Sequence, residues 1–109
     1  MPTPWIQFLS TFKDDAGNLV KDELIGLVEN STSDANDFVQ KQGKKLEKYL
    51  NQLASSEITP EEFGGYMKHL ERLTRMQALK LETAAKASAQ RLADGIQDLV
   101  LGKLLSLLP

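Results

Sequence analysis

The chain carries one histidine and no cysteine, and this narrows its chemistry at once. Without cysteine there is no thiolate nucleophile, no thiolate zinc site, no iron–sulfur cluster and no disulfide scaffold. His69 stands beside Leu70, with Lys68, Glu71 and Arg72 around it, the setting of a helix-surface residue. A metal site needs several ligands, and the nearby acids Glu61, Glu62 and Glu71 are ordinary helix-surface residues. The Glu-x-x-His pair of di-iron bundles is missing, because Tyr66 occupies the place of the Glu. No glycine-rich phosphate loop, Ser-His-Asp set or pair of buried carboxylates can be assembled. The chain is therefore expected not to be an enzyme, and to hold no cofactor and no metal.

Charge points away from nucleic acid. Thirteen Lys and Arg against fifteen Asp and Glu leave a net charge of −2, which offers no footprint for a phosphate backbone. Lys41, Lys44, Lys45 and Lys48 form a basic stripe, with Lys68 and Arg72 across from it. Glu47 and Glu71 balance that stripe, so it reads as a solvated face before it reads as a seat for an acidic partner.

The elements that must position these residues are helices. The 109 residues suit one domain, 1–109, with 41% hydrophobic residues, too apolar for disorder. Thr3-Pro4 reads as an N-cap followed by proline at the first helical position, opening a helix over 3–13. A second helix is expected over about 19–56, with a weak point at Asn30-Ser31-Thr32-Ser33-Asp34, poor helix formers that favour caps. Ile58-Thr59-Pro60-Glu61-Glu62-Phe63 is the clearest signal: Thr59 caps, Pro60 starts the helix, and Glu62 can close a capping box. No proline follows until Pro109, so one helix is expected over 60–107, roughly 70 Å long at 1.5 Å per residue.

Together these predict an all-α fold: a long antiparallel, coiled-coil-like helical hairpin (about 19–56 and 60–107) with the short N-terminal helix packed at its base. The short 57–59 turn places Leu53 near Phe63, Leu46 near Leu70 and Leu24 near Leu92, apolar against apolar. Trp5, Phe8, Leu9 and Phe12 need burial, and Leu104 in the overhanging C-terminal end has the same need, so the two should meet as an apolar end cluster. Gly64-Gly65 suggests close helix approach near the turn, and Gly95 with Gly102 close packing against the aromatic N-terminal helix.

One feature of the hairpin bears on function. Met76, Leu79, Leu101, Leu105 and Leu108 fall opposite its buried face when plotted at about 100° per residue. A two-helix hairpin cannot cover both faces of one helix, so a second apolar stripe implies another surface. The expected function is a structural or interaction protein that self-associates through this stripe, a homo-oligomer or one bound to a helical protein partner. The competing readings are an adaptor or chaperone for another protein, and a peripheral binder of a membrane or granule surface through the apolar terminal helices. The membrane reading is the weaker, since interfacial helices carry a polar face rich in Lys and Arg and Leu99–Leu108 has one lysine.

Thr3-Pro4-Trp5 followed by Phe8-Leu9 resembles the start of type III secretion needle subunits, small cysteine-free helical hairpins that polymerise. The segment SSEITPEEF stands where those proteins have a different turn. The general plan is also similar to hairpin proteins exported by type VII systems, without their Trp-x-Gly turn. Neither a basic, uninterrupted signal segment nor about 18 consecutive apolar residues is present, so a cytoplasmic location is expected, with signal-less export left open.

Overall fold

A computed structural model describes residues 4–12 and 15–108. The expected cap at Thr3 and helical residue Lys13 lie outside these. Helix α1 covers Pro4–Leu9, α2 Asp15–Thr32, α3 Asp37–Ala54, α4 Pro60–Ala78 and α5 Thr83–Gly95. A π-helical stretch, Ile96–Leu104, continues α5, and α6 (Leu105–Leu107) is its last turn. The fold is a five-helix bundle, α1 to α5, not a two-helix hairpin.

Each connection has a local cause. At the end of α2 the hydroxyls of Ser31, Thr32 and Ser33 donate back to the carbonyls of Leu27, Val28 and Glu29, at 2.9, 2.8 and 2.7 Å. Such bonds compete with helix propagation. Asn36 then caps α3 by accepting from the Val39 amide at 3.1 Å. Helix α3 ends in a Schellman arrangement: the Glu57 amide donates to Gln52 at 2.9 Å and the Ser56 amide to Leu53 at 3.1 Å. Ser56 adopts φ 61° there, a left-handed position that favours glycine. The capping box of α4 forms in full: the Glu62 amide donates to Thr59 Oγ1 at 3.1 Å, and the Thr59 amide to Glu62 Oε1 at 2.9 Å.

The expected continuous helices 19–56 and 60–107 are corrected here. The first breaks between Thr32 and Asp37. The second turns back on itself at Leu79–Glu82, where α4 tightens into i→i+3 bonds (Lys80 to Gln77, Leu81 to Ala78) and Glu82 takes an extended backbone. The molecule therefore measures 40 × 25 × 22 Å rather than forming a 70 Å coiled-coil-like rod. Tertiary packing overrides local propensity. Folding back buries Ala78, Ala89, Leu92, Ala93 and Ile96 against the bundle, and the small alanines let α5 lie close to α4.

The bundle runs up, down, up, down through α2, α3, α4 and α5, with α1 across its base on α3 and α2. The Trp5 amide donates to Asn51 Oδ1 at 3.3 Å, satisfying one of the orphan donors of a helix start from a neighbouring helix. Trp5, Leu9, Phe63, Leu104 and Leu24 are all 2% exposed or less. The π-helical stretch serves the same core. In an α-helix, positions four apart drift by about 40° per step. Widening the turn keeps Ile96, Val100 and Leu104 aligned on the core side, all 0% exposed. Gly95 faces Leu27 of α2 and not the N-terminal helix, and Gly102 is exposed.

Candidate functional site

The expected oligomer stripe does not exist as one surface. Leu101, Leu105 and Leu108 are half-buried against the core at the base of the bundle. Leu105 lies against Gly64, near the start of α4, 3.3 Å from where a Cβ would stand. Met76 and Leu79 stand more than three turns away at the other end of α4, 64% and 71% exposed. The chain covers much of this second apolar face by folding back on itself. Self-association through a stripe on a long terminal helix is therefore withdrawn. Of the apolar end cluster, Trp5, Leu9 and Leu104 are core residues, while Phe8 and Phe12 are half-buried with their rings edge to face, centroids 5.6 Å apart.

What the fold leaves open lies elsewhere. Helices α2 and α5 close the bundle as its first and last members, antiparallel, with α2 packed more on the π-helical continuation of α5 than on α5 itself. Their seam holds a depression of about 420 Å³ floored by Leu27, Val39 and Leu92 and edged by Asn30, Asp34, Ser88 and Arg91. A second, of about 410 Å³, shares Leu27 and Asn30 with it and continues toward Gly26, Asp98 and Lys103. A third, of about 400 Å³, shares Asp34 and Ser88 and continues toward Ala85 and Glu82. The three therefore adjoin one another and follow the seam as a shallow groove. Short side chains on both helices make it: Gly26 on α2, and Ala84, Ala85 and Ser88 on α5.

The rim is acidic. Glu23, Asp34, Glu82, Asp94 and Asp98 line it, against two cations, Arg91 and Lys103. Lys103 faces Glu23 at 3.7 Å. Asp94 is held from behind by Arg75 of α4 at 3.0 Å, and Arg75 also reaches Gln97 at 2.7 Å and Glu71 at 3.3 Å. Burial works against the Arg75 charge, but its bonds and ion pairs with Asp94 and Glu71 outweigh this and raise its pKa. The guanidinium thus braces α4 against α5 under one wall of the groove. Among the described residues no ion pair engages Asp34, Glu82 or Asp98.

His69 is exposed on α4, and no group of three His, Cys, Asp or Glu among the described residues could hold a metal ion. Lys41, Lys44 and Lys48 are exposed on α3, and none of them lines the three depressions. The charge asymmetry is general: α2 carries four carboxylates and one lysine, α3 four lysines and two carboxylates. No described helix is long and apolar enough to cross a membrane.

Comparison with family models, with curated proteins and with solved structures finds no match to this chain. The groove itself must carry the functional reading. The expected hairpin already set residues 84–97 beside 19–32, with Leu24 near Leu92, and sequence reasoning missed the groove because it read that pairing as apolar against apolar along its whole length. The signal within reach was the run of short side chains at Ala84, Ala85 and Ser88, which the same pairing sets along the stretch that holds Gly26.

Proposed function

We propose that the protein is a helical interaction module that acts by binding, and that its α2–α5 groove receives a helical segment of another protein. The observation that carries this reading is the succession of three adjacent depressions along one seam, two of them with apolar lining from the half-buried Leu27 and the core residues Val39, Leu92 and Leu99. The α2 side of the groove, from Glu23 to Asp34, is about 16 Å long at 1.5 Å per residue, room for three turns of a docked helix. Grooves between helices of this kind take the apolar face of an amphipathic helix. The exposed pair Met76 and Leu79 is too small and too isolated to compete.

The test is selection of binders to the full chain from a displayed library of helical peptides, followed by mapping through backbone amide resonances. Shifts centred on Leu27, Asn30, Ser88 and Arg91 support the reading. Binders that map to Met76 and Leu79, or to the α3 face, overturn it, as does a selection that yields none.

A further inference from the structure

Gly26 lies in the interior of α2, where glycine weakens a helix relative to alanine. At two other helical glycines the fold leaves no room for a side chain. A Cβ on Gly43 would run into Ser31, and one on Gly95 would come within 2.7 Å of the Leu27 side chain. At Gly26 a Cβ would meet nothing within 4 Å. None of the described residues requires glycine there. Gly65 is equally open, but it is exposed beside Gly64 and lines none of the three depressions. Gly26 lines the one that holds Glu23, Asp94 and Asp98. Absence of a side chain at a wall is what close approach by another chain needs.

Resting on the groove reading above, we infer that the partner segment is a basic amphipathic helix of another protein, seated against Gly26 with its cations facing Glu23, Asp98 and Asp34. Charge complementarity selects this occupant. The rim has five carboxylates against Arg91 and Lys103, and α2 beneath it carries four carboxylates and one lysine. An acidic segment would bring like charges together, which suppresses association. A basic one gains steering at distance and pairing at the rim, both weakened by salt.

The probes are two 16-residue helical peptides with the same leucine stripe, one flanked by lysines and one by glutamates, titrated into the full chain by fluorescence anisotropy. The lysine peptide is expected to bind at least about tenfold more tightly at low salt, the difference shrinking as salt rises. Gly26→Leu fills the contact and is expected to weaken the lysine peptide by tenfold or more, with the unfolding midpoint unchanged or raised. Asp98→Asn, at an exposed position, weakens it by a few-fold. Equal binding of the two peptides overturns the basic partner while leaving the groove reading in place, and so does full-strength binding to Gly26→Leu for the seat at Gly26. Neither peptide binding, while selected peptides still map to the groove, also overturns this inference alone. Neither binding with no groove-mapped binder removes both. A chain that oligomerises by itself, reversibly with salt and through Gly26, would give the groove to the lysine-rich α3 face of a second copy and overturn the separate partner.

Discussion

One substitution made at two helical glycines should move stability in opposite directions. Both Gly26 and Gly43 lie inside helices, α2 and α3. Alanine in place of glycine at such a position gains about 0.8–1.0 kcal/mol from backbone propensity. At Gly26 nothing opposes that gain, because an added Cβ meets no atom within 4 Å. Gly26→Ala is therefore expected to stabilise by about 1 kcal/mol, a rise in Tm of about 4 °C for a domain of this size. At Gly43 the Cβ would fall against the Ser31 hydroxyl, 2.7 Å from its Cβ and 2.9 Å from its carbonyl carbon. The hydroxyl could turn away, but it is bonded to the carbonyls of Leu27 and Val28, and the carbonyl carbon belongs to the backbone. Overpacking of this kind costs about 1–3 kcal/mol. Less the propensity gain, Gly43→Ala should lose up to about 2 kcal/mol. Urea unfolding at constant m reads both as shifts in midpoint. In a Ser31→Gly background the Gly43→Ala loss should largely vanish, since two of the three contacting atoms are gone. Shifts of the same sign at the two glycines would falsify the account of how α2 meets α3 and of why Gly26 is open.

Three further outcomes follow from local geometry. Ser56→Gly should stabilise by about 1 kcal/mol, since an L-residue in the left-handed region costs about 1–2 kcal/mol, and an unchanged thermal midpoint would count against the φ of 61°. Gln42, 2% exposed, has an Oε1 with no hydrogen-bond partner, so Gln42→Leu should gain about 1–2 kcal/mol in urea unfolding, and a loss of that size would mean the oxygen is satisfied after all. Small-angle scattering should give a radius of gyration close to the 13.4 Å of the Cα trace, a few ångströms larger with hydration, whereas a 70 Å hairpin would give about 20 Å and refute the reversal at Leu79–Glu82.

What could be read from the sequence was local. The Thr59–Glu62 box joins residues three apart, so its partners are visible in the string itself, and the structure forms both bonds. Asn30–Asp34 marked a weak point for the same reason, and the hydroxyls of Ser31, Thr32 and Ser33 do turn back onto α2. The facing of α3 and α4 was also legible, because Leu46, Leu53, Phe63 and Leu70 repeat at helical spacing on both sides of a short turn and are all buried. The reversal at Leu79-Lys80-Leu81-Glu82 was not. These are good helix formers with no glycine or proline among them, and no short-range rule stops a helix there. The decision is made by surfaces far apart in sequence: Ala89 and Ala93 on α5 can be buried only if α4 is alongside. The second apolar stripe was the visible symptom, and its reading as an interface assumed that a helix without a breaker stays straight.

The groove lies along the seam where α2 meets α5. A ring of four helices is sealed only if its first and last members pack as closely as the others, and here both bring short side chains to the seam. Larger apolar residues at Gly26 and Ser88 would remove more surface from water, at about 25 cal/mol per Å² buried, and would spare α2 its glycine. Stability alone would favour that sealed version. The chain instead leaves depressions in the seam beside the half-buried Leu27, edges them with Asp34, Glu82 and Asp98, and ties Asp94 to Arg75 of α4. Depressions already present in the free protein are what a preformed binding groove requires, since a partner then meets a site that need not be reorganised. The glycine at position 26 weakens the free helix, a cost that something filling the space beside it could offset.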